Sequence, residues 1–391
     1  MSVKLKAAAV CAVTLTAALL LLPSCGSSSR DNEDGAADVS LPEYSETEKE
    51  EEIPMHEITA DYVIIVPANS KGDIKAANRL KKALGDAGLE LRFIDDSWGQ
   101  NEHEIILGAA DRADAVIPDE IKMPGDWSLR LTDDGNIIAL GDTEAAVEEL
   151  LKYVKDGKFF VPQQLNILQK AVWELVFEDN FDGTELDTTK WSRCPEWQRK
   201  DYGGRWDDEM TLLDGNGHLL SRVDMGAKVP LSGAVRTIDT FRTTYGYFEI
   251  RCTLHKAQGM WGAFWMMLGP DVGAGNGTEI DIFESLANEK RIYFTMHYGG
   301  YEENHQSESA NIYAPEMFDG SFHTFSFWWD KEKYVWYLDG KEVFRSSTAL
   351  VHQSGYMKIS TECGSWGGPL KPDELPSDML VDYVRVYKRA D

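Results

Sequence analysis

The pattern of apolar and polar positions changes texture three times along the 391-residue chain. Behind Lys4 and Lys6 an apolar run extends from Ala7 to Leu22, short for a membrane span and suited to a signal-peptide core. From Asp61 the pattern becomes that of an α/β unit. DYVIIVPAN predicts a strand, and the i, i+3, i+4 spacing in DIKAANRLKKALGDAG predicts an amphipathic helix with a glycine-containing stop. ELRFID and HEIILG read as strands, and WSLRLTDDGNIIALGD as a hairpin with Asp-Gly near its turn. TEAAVEELLKYVKDG predicts a second helix with one buried face. This order gives a two-layer arrangement with the helices on one side of a sheet. After Trp173 helical periodicity fades. Alternating runs such as YGYFEIRCTL, RIYFTMHYGG, TFSFWWD, KYVWYLDGKEVF and LVDYVRVYKR succeed one another between turn residues. Many strands without intervening helices predict a mainly β sandwich or jelly roll.

These textures divide the chain into a leader (1–25), a tether (26–55), a small α/β domain (56–171) and a β domain (172–391). Between Arg30 and Ile53 the tether carries ten acidic and two basic residues, and it buries too little apolar surface to fold alone. The whole chain has a formal net charge of −27, which argues against nucleic acid as a partner. Leu22-Pro23-Ser24-Cys25, followed by GSSS, resembles a bacterial lipobox. That resemblance implies a lipid on Cys25, export, and attachment to a membrane through that lipid alone. An ordinary cleaved signal, giving a secreted protein, is the other outcome. Outside the leader, Cys194, Cys252 and Cys363 are odd in number and lack C-x-x-C spacing, so neither zinc nor a full disulfide framework is implied. One bridge plus a thiol, or three thiols, both fit.

The candidate chemistry lies in GTEIDIFES, residues 277–285. Its β-branched and aromatic filler predicts a strand, in which Glu279 and Asp281 share a face and Glu284 points to the other. A β-bulge near Ile282 and Phe283 would restore parity and line up all three acids. Carboxylates so close cannot all ionise, so at least one pKa rises. An acid kept protonated beside an ionised one is what cleavage of a glycosidic bond requires.

Segments around these acids resemble glycoside hydrolase family 16 along almost all of 174–388. They are FEDNFDGTELDTTKW, YGYFEIRCTLHKAQGMWGAFWMML, EIDIFE, FHTFSFWWDKEKYVWYLDGKEV and VDYVRVY, in the family's order. The resemblance implies a concanavalin-like jelly roll with a cleft on its concave sheet and no cofactor for catalysis. It makes Glu279 the nucleophile, Glu284 the acid/base and Asp281 the residue between them. The E-x-D-x-x-E spacing is similar to that of the family's bulged, laminarinase-like group. Trp265 and Trp366 match cleft tryptophans, and His297 and Tyr298 lie in TMHYGG, similar to the T-x-H-Y-G of β-1,3-glucanases. Trp261 is a candidate rim contact or a packing residue, and Tyr298 a candidate substrate contact or a core residue. Asp382 matches a position that in some members helps to hold a structural calcium, and one ligand does not define a site. The α/β domain resembles the non-catalytic N-terminal domain of family 20 and related glycosidases in EIILG and GNIIALGDTEAAVEELLKYV.

The implied activity is retaining endo-hydrolysis of extracellular β-glucan, β-1,3 or mixed β-1,3/1,4. Two features depart from the glucanase pattern. The DVGAGNGT loop lacks the tryptophan usual before the nucleophile, and CPEWQRKDYGGRWDDEMTLLDGNG lacks an Asn-Glu pairing. Trp197, Arg199, Arg205 and Trp206 of that segment either build other subsites or cover the sandwich. A galactanase of agarase, carrageenase or porphyranase type, a transglycosylase, and a carbohydrate-binding protein without activity remain open alternatives.

Overall fold

The computed structural model describes residues 53–195, 197–198, 204–269 and 277–390. The leader with Cys11 and Cys25, the tether through Glu52, Arg199 and the loop 270–276 lie outside the described residues.

The first predicted helix forms at Lys71–Asp86, two residues ahead of its apolar pattern, because Ser70 caps it by accepting from the Asp73 N–H at 3.4 Å. Ala76, Ala77, Leu80 and Leu84 are its buried stripe. The second helix, Thr143–Leu151, is shorter than predicted. Asp156 and Gly157 take left-handed φ values of 51° and 73°, so Val154–Lys155 turns back as a strand onto Lys158–Pro162. A local Asp-Gly turn outweighs the helical periodicity there.

Both helices pack on one face of a six-stranded sheet ordered Arg92–Asp95, Val63–Val66, Glu104–Leu107, Ile137–Gly141, Trp127–Leu131, Asn166–Gln169. The first four strands run parallel, and the last two add antiparallel. The opposite face is covered too. Val63, Ile65, Ile106, Ile138 and Leu140 pack there against Ala110, Ala115 and Ile121 of an irregular segment. The α/β domain meets the β-sandwich through Arg345, whose Nη1 lies 2.9 Å from Glu144 of the second helix, and through the Trp173 indole, which donates to the Pro124 carbonyl at 3.0 Å.

The sandwich pairs a ten-stranded sheet with a seven-stranded one. The second runs Ser192–Arg193, Ala234–Arg236, Gly355–Cys363, Met260–Leu268, Thr278–Leu286, Arg291–Tyr298, Gln306–Tyr313. Between the sheets Phe264, Met266, Ile280, Phe294 and Met296 interleave with Phe248, Phe325, Phe327, Trp329 and Trp336, all fully buried. This core is a continuous apolar layer, so each strand of the seven-stranded sheet has one face committed inward and one free. The free face carries the acids. Cys194, Cys252 and Cys363 are buried free thiols, and burial pushes the Cys194 thiol up to about 11 and that of Cys363 to about 12.

Candidate active site

The parity of the acidic strand is settled by its ladder with Met260–Leu268. Met267 faces Glu279, Trp265 faces Asp281, Phe264 faces Phe283 and Ala263 faces Glu284. Ile282 has no opposite residue. It is the extra residue of a bulge, and the same shift recurs on the other side, where Asp281 meets Thr295 and Glu284 meets Tyr293. Ile282 and Phe283 both enter the core at 0% exposure, and Phe283 stacks on Phe325 at 4.0 Å between ring centroids. Two successive inward side chains are possible only because the bulge resets the alternation. Glu279, Asp281 and Glu284 consequently share the free face. The bulge is fastened from the other sheet: the buried Trp336 indole N–H donates to the Asp281 backbone carbonyl at 2.9 Å.

Burial dominates the electrostatics. The Asp281 carboxyl is pushed well above the usual range by burial, then by Glu279 and Glu362. Burial likewise raises Glu284 well above its ordinary value, assisted by the charges of Asp281, Glu279 and Glu362, while His297 opposes them. Glu279, part-exposed like Glu284, accepts a hydrogen bond from the Tyr301 hydroxyl. His297, opposite Glu279 in the ladder, brings Nε2 to 3.3 Å from Asp281 Oδ2. Its Nδ1 is 2.9 Å from Nε2 of His305, whose ring stacks on it at 5.1 Å, so at least one of the two imidazoles is neutral. Glu279, Asp281 and His297 bring one polar atom each to within 4.8 Å of one another, and the contacts just described account for that grouping.

The raised carboxyls have a thermodynamic consequence. Between the unfolded midpoint near pH 4 and their higher folded midpoints, the native state binds more protons than the unfolded chain. Stability therefore falls as pH rises through that interval. Asp281→Asn and Glu284→Gln are expected to melt a few degrees above the wild type at pH 7, with the gain gone below about pH 4. Calorimetry at the two pH values checks this, and a Tm at pH 7 below the wild type in both variants would contradict it.

The aromatic candidates divide. Trp265, facing Asp281, is partly exposed, donates its indole N–H to Ser360 Oγ at 3.0 Å, and carries the Lys358 ammonium 3.9 Å over its ring. Trp366, on the short turn Ser365–Gly367, is partly exposed and packs against Tyr293, the ladder neighbour of Glu284, at 5.2 Å. Trp261 is corrected from rim contact to support. Only 4% exposed, it braces Trp366 edge-on at 5.3 Å, because the Trp366 turn closes over it. Tyr298 is also corrected. It follows His297 directly, so strand alternation turns it inward, where it packs against the core. Trp206 is buried beside Trp265, and Trp197 lies on it at 5.0 Å with its own face 43% exposed. Arg205 pairs with Asp207 at 3.1 Å. Asp382 is engaged by Arg251 in an ion pair.

Four residues escaped the sequence pattern. Tyr301 and His305 lie in a turn with no periodicity to place them. Lys358 is the one basic residue in the strand GYMKISTEC, and Arg236 stands opposite it in the ladder. Parity could have exposed both, since each alternates with a core residue, Ile359 and Val235. Burial lowers the Lys358 pKa, against a raising influence from Cys194 and Glu279. The Arg236 Nε is buried without a hydrogen-bond partner among the described residues.

Fold and site together define a jelly-roll protein with a bulge-aligned carboxylate triad on its open sheet, between aromatic clusters. Residues 173–389 match the family model described as Beta-porphyranase A-D, GH16 domain, and the chain belongs to that branch of glycoside hydrolase family 16. It is 27% identical over 262 residues to the glucan endo-1,3-beta-glucosidase A1 of Niallia circulans, covering 56% of this chain and 38% of that one. It is 28% identical over 246 residues to the keratan-sulfate endo-1,4-beta-galactosidase of Sphingobacterium multivorum, covering 55% of each. The chain thus spans little more than a third and about half the length of these two relatives. The catalytic domain of an endo-1,3-beta-glucanase (laminarinase) from Thermotoga petrophila RKU-1 superposes with a TM-score of 0.51 at 26% identity, covering 57% of this chain and 100% of that one.

Proposed function

We propose that the chain is a retaining endo-glycosidase acting on extracellular β-glucan, β-1,3 or mixed β-1,3/1,4. The observation that carries the reading is the pairing of two acids on one face: Glu284, whose carboxyl burial raises, and Glu279, held by a hydroxyl. Glu284 protonates the leaving oxygen while Glu279 attacks the anomeric carbon. The deprotonated Glu284 then takes a proton from water, which releases the sugar from Glu279. Asp281 shares the charge of the cluster, with His297 Nε2 3.3 Å from its Oδ2. Trp265 and Trp366 are the sugar platforms on the two sides of the acids. The chemistry uses side chains alone, with no cofactor. Residues 56–171 enter as a non-catalytic accessory, and Cys25 as a lipid anchor that keeps the exported enzyme at the bacterial surface.

A second reading, an endo-galactosidase of anionic galactans, is favoured by the Arg236–Lys358 pair. Two neighbouring cations stand beside Trp265 on the acid-bearing face of a chain whose net charge is −27. A neutral glucan has no group for them, whereas a sulfated or carboxylated sugar does. Assaying laminarin, mixed-linkage glucan, agarose, porphyran and keratan sulfate for reducing ends, with NMR of the first-formed anomer, separates the readings. The β-glucan reading expects oligosaccharides of retained configuration from the first two. Cleavage confined to the galactans replaces it with the second reading, transfer products alone identify a transglycosylase, and binding without cleavage identifies a binding protein. In the same assay on whole cells, Cys25→Ala should move activity from the membrane fraction to the medium, and activity staying with the membrane would refute the anchor.

A further inference from the structure

We propose that Tyr301 is a positioning residue for the attack step: by donating to Glu279 Oε2 it holds this acid as the nucleophile and leaves Oε1 free to attack. The inference rests on the glycosidase reading above and deepens it.

Tyr301 belongs to no strand. It sits in the turn between Arg291–Tyr298 and Gln306–Tyr313, which opens with Gly299 and Gly300 at φ 78° and 86°. A Cβ on Gly299 would lie 2.3 Å from the Asn304 carbonyl oxygen, so only glycine allows the chain to curl back this tightly. The His305 N–H closes the turn on the Glu302 carbonyl at 3.0 Å. The curl carries the phenol over Met267, with its hydroxyl 3.9 Å from Sδ, and onto Glu279, the ladder partner of Met267. The Tyr301 side chain stays 47% exposed, so it also rims the open side of the cleft.

The elements packed around Glu279 bring charged and proton-bearing groups from several sides. Its own strand supplies Asp281 and Glu284, and the next supplies His297 with His305 behind it. Gly355–Cys363 supplies Tyr356, Lys358 and Glu362, while Met260–Leu268 offers only the neutral Met267. His297 is turned to Asp281 and His305, and Lys358 lies over Trp265. Among the described residues, Tyr301 is therefore the group that hydrogen-bonds the Glu279 side chain. Burial and the Glu279 charge push the Tyr301 phenol far above its ordinary pKa, so it remains a donor at every working pH. A hydroxyl donor favours the ionised form of the carboxyl it bonds. No proton passes along this bond. Tyr301 keeps its hydrogen while Oε1 forms the bond to the anomeric carbon.

Tyr301→Phe removes the donor and keeps the ring. On the substrate found by the polysaccharide panel, kcat is expected to fall about 10- to 100-fold with KM within about threefold, the loss of one hydrogen bond to a charged group. The acidic limb of the kcat/KM profile is expected to move up by about one pH unit. Wild-type kcat together with an unmoved acidic limb would overturn the proposal. Glutamate carboxyls labelled with ¹³C, with the Glu279 signal assigned by Glu279→Gln, test it without substrate. That signal should shift between wild type and Tyr301→Phe and titrate higher in the variant, whereas identical titrations would overturn the assignment. A moved signal in a protein that cleaves nothing on the panel would uphold the contact and reject the glycosidase reading instead.

Discussion

Glu279→Gln is expected to lower kcat by about 10⁴-fold or more, because the covalent intermediate loses its only nucleophile. The amide is nearly isosteric, so folding should be unaffected. Glu284→Gln is expected to be nearly as severe on a polysaccharide, whose leaving alkoxide needs the proton, at about 10²- to 10⁴-fold. The two variants part on an aryl glycoside with a good leaving group. There protonation is dispensable, so the first step in Glu284→Gln recovers and the glycosyl-enzyme accumulates as a burst. Glu279→Gln shows no burst on any substrate. Stopped-flow release of the phenol reads both outcomes, and near-normal turnover in Glu279→Gln would remove the proposed mechanism altogether. The asymmetry follows from the two proposed roles, with Glu284, whose carboxyl burial raises, as the proton donor.

The second large effect is expected far from the cleft surface. Trp336→Ala should destabilise the fold by about 3–5 kcal/mol, since a fully buried indole packed against Phe327 and Phe344 leaves a cavity. Trp336→Phe refills much of that volume and is the sharper test. It leaves the Asp281 carbonyl without its indole donor inside the core, at a cost of about 1–3 kcal/mol. The carbonyl lies at the bulge that aligns Asp281 with Glu284, so kcat should fall along with stability. Urea unfolding and turnover on the folded variant separate the two effects. A Trp336→Phe protein with reduced stability and undiminished kcat would show that the bulge holds without this bond.

Several elements were legible in the chain before its structure. The five-residue step from Glu279 to Glu284, filled by Ile and Phe, demanded either a misplaced acid or a bulge, and the ladder contains the bulge at Ile282. The stripe of Ala76, Ala77, Leu80 and Leu84 marked a helix with one inner face. Tyr298 faces the core rather than a substrate, and the reason is present in the sequence, since its parity is opposite to that of His297. The second helix was overextended for a similar local reason, the left-handed Asp156–Gly157 pair.

Other features had no local signature. Trp261 and Trp366 look alike in sequence, and only their mutual packing makes one a support and the other a surface. Tyr301 reaches Glu279 across 22 residues, and Trp336 reaches Asp281 across 55 from the opposite sheet.

Alternation, spacing and turn chemistry are properties of neighbours along the chain. They alone therefore determined the strands, the helices, the acids and the need for a bulge. Which acids burial raises, which is held by a hydroxyl, and which tryptophan faces the cleft depend on desolvation and on partners brought together through space. Those were decided only when the two sheets closed on their core.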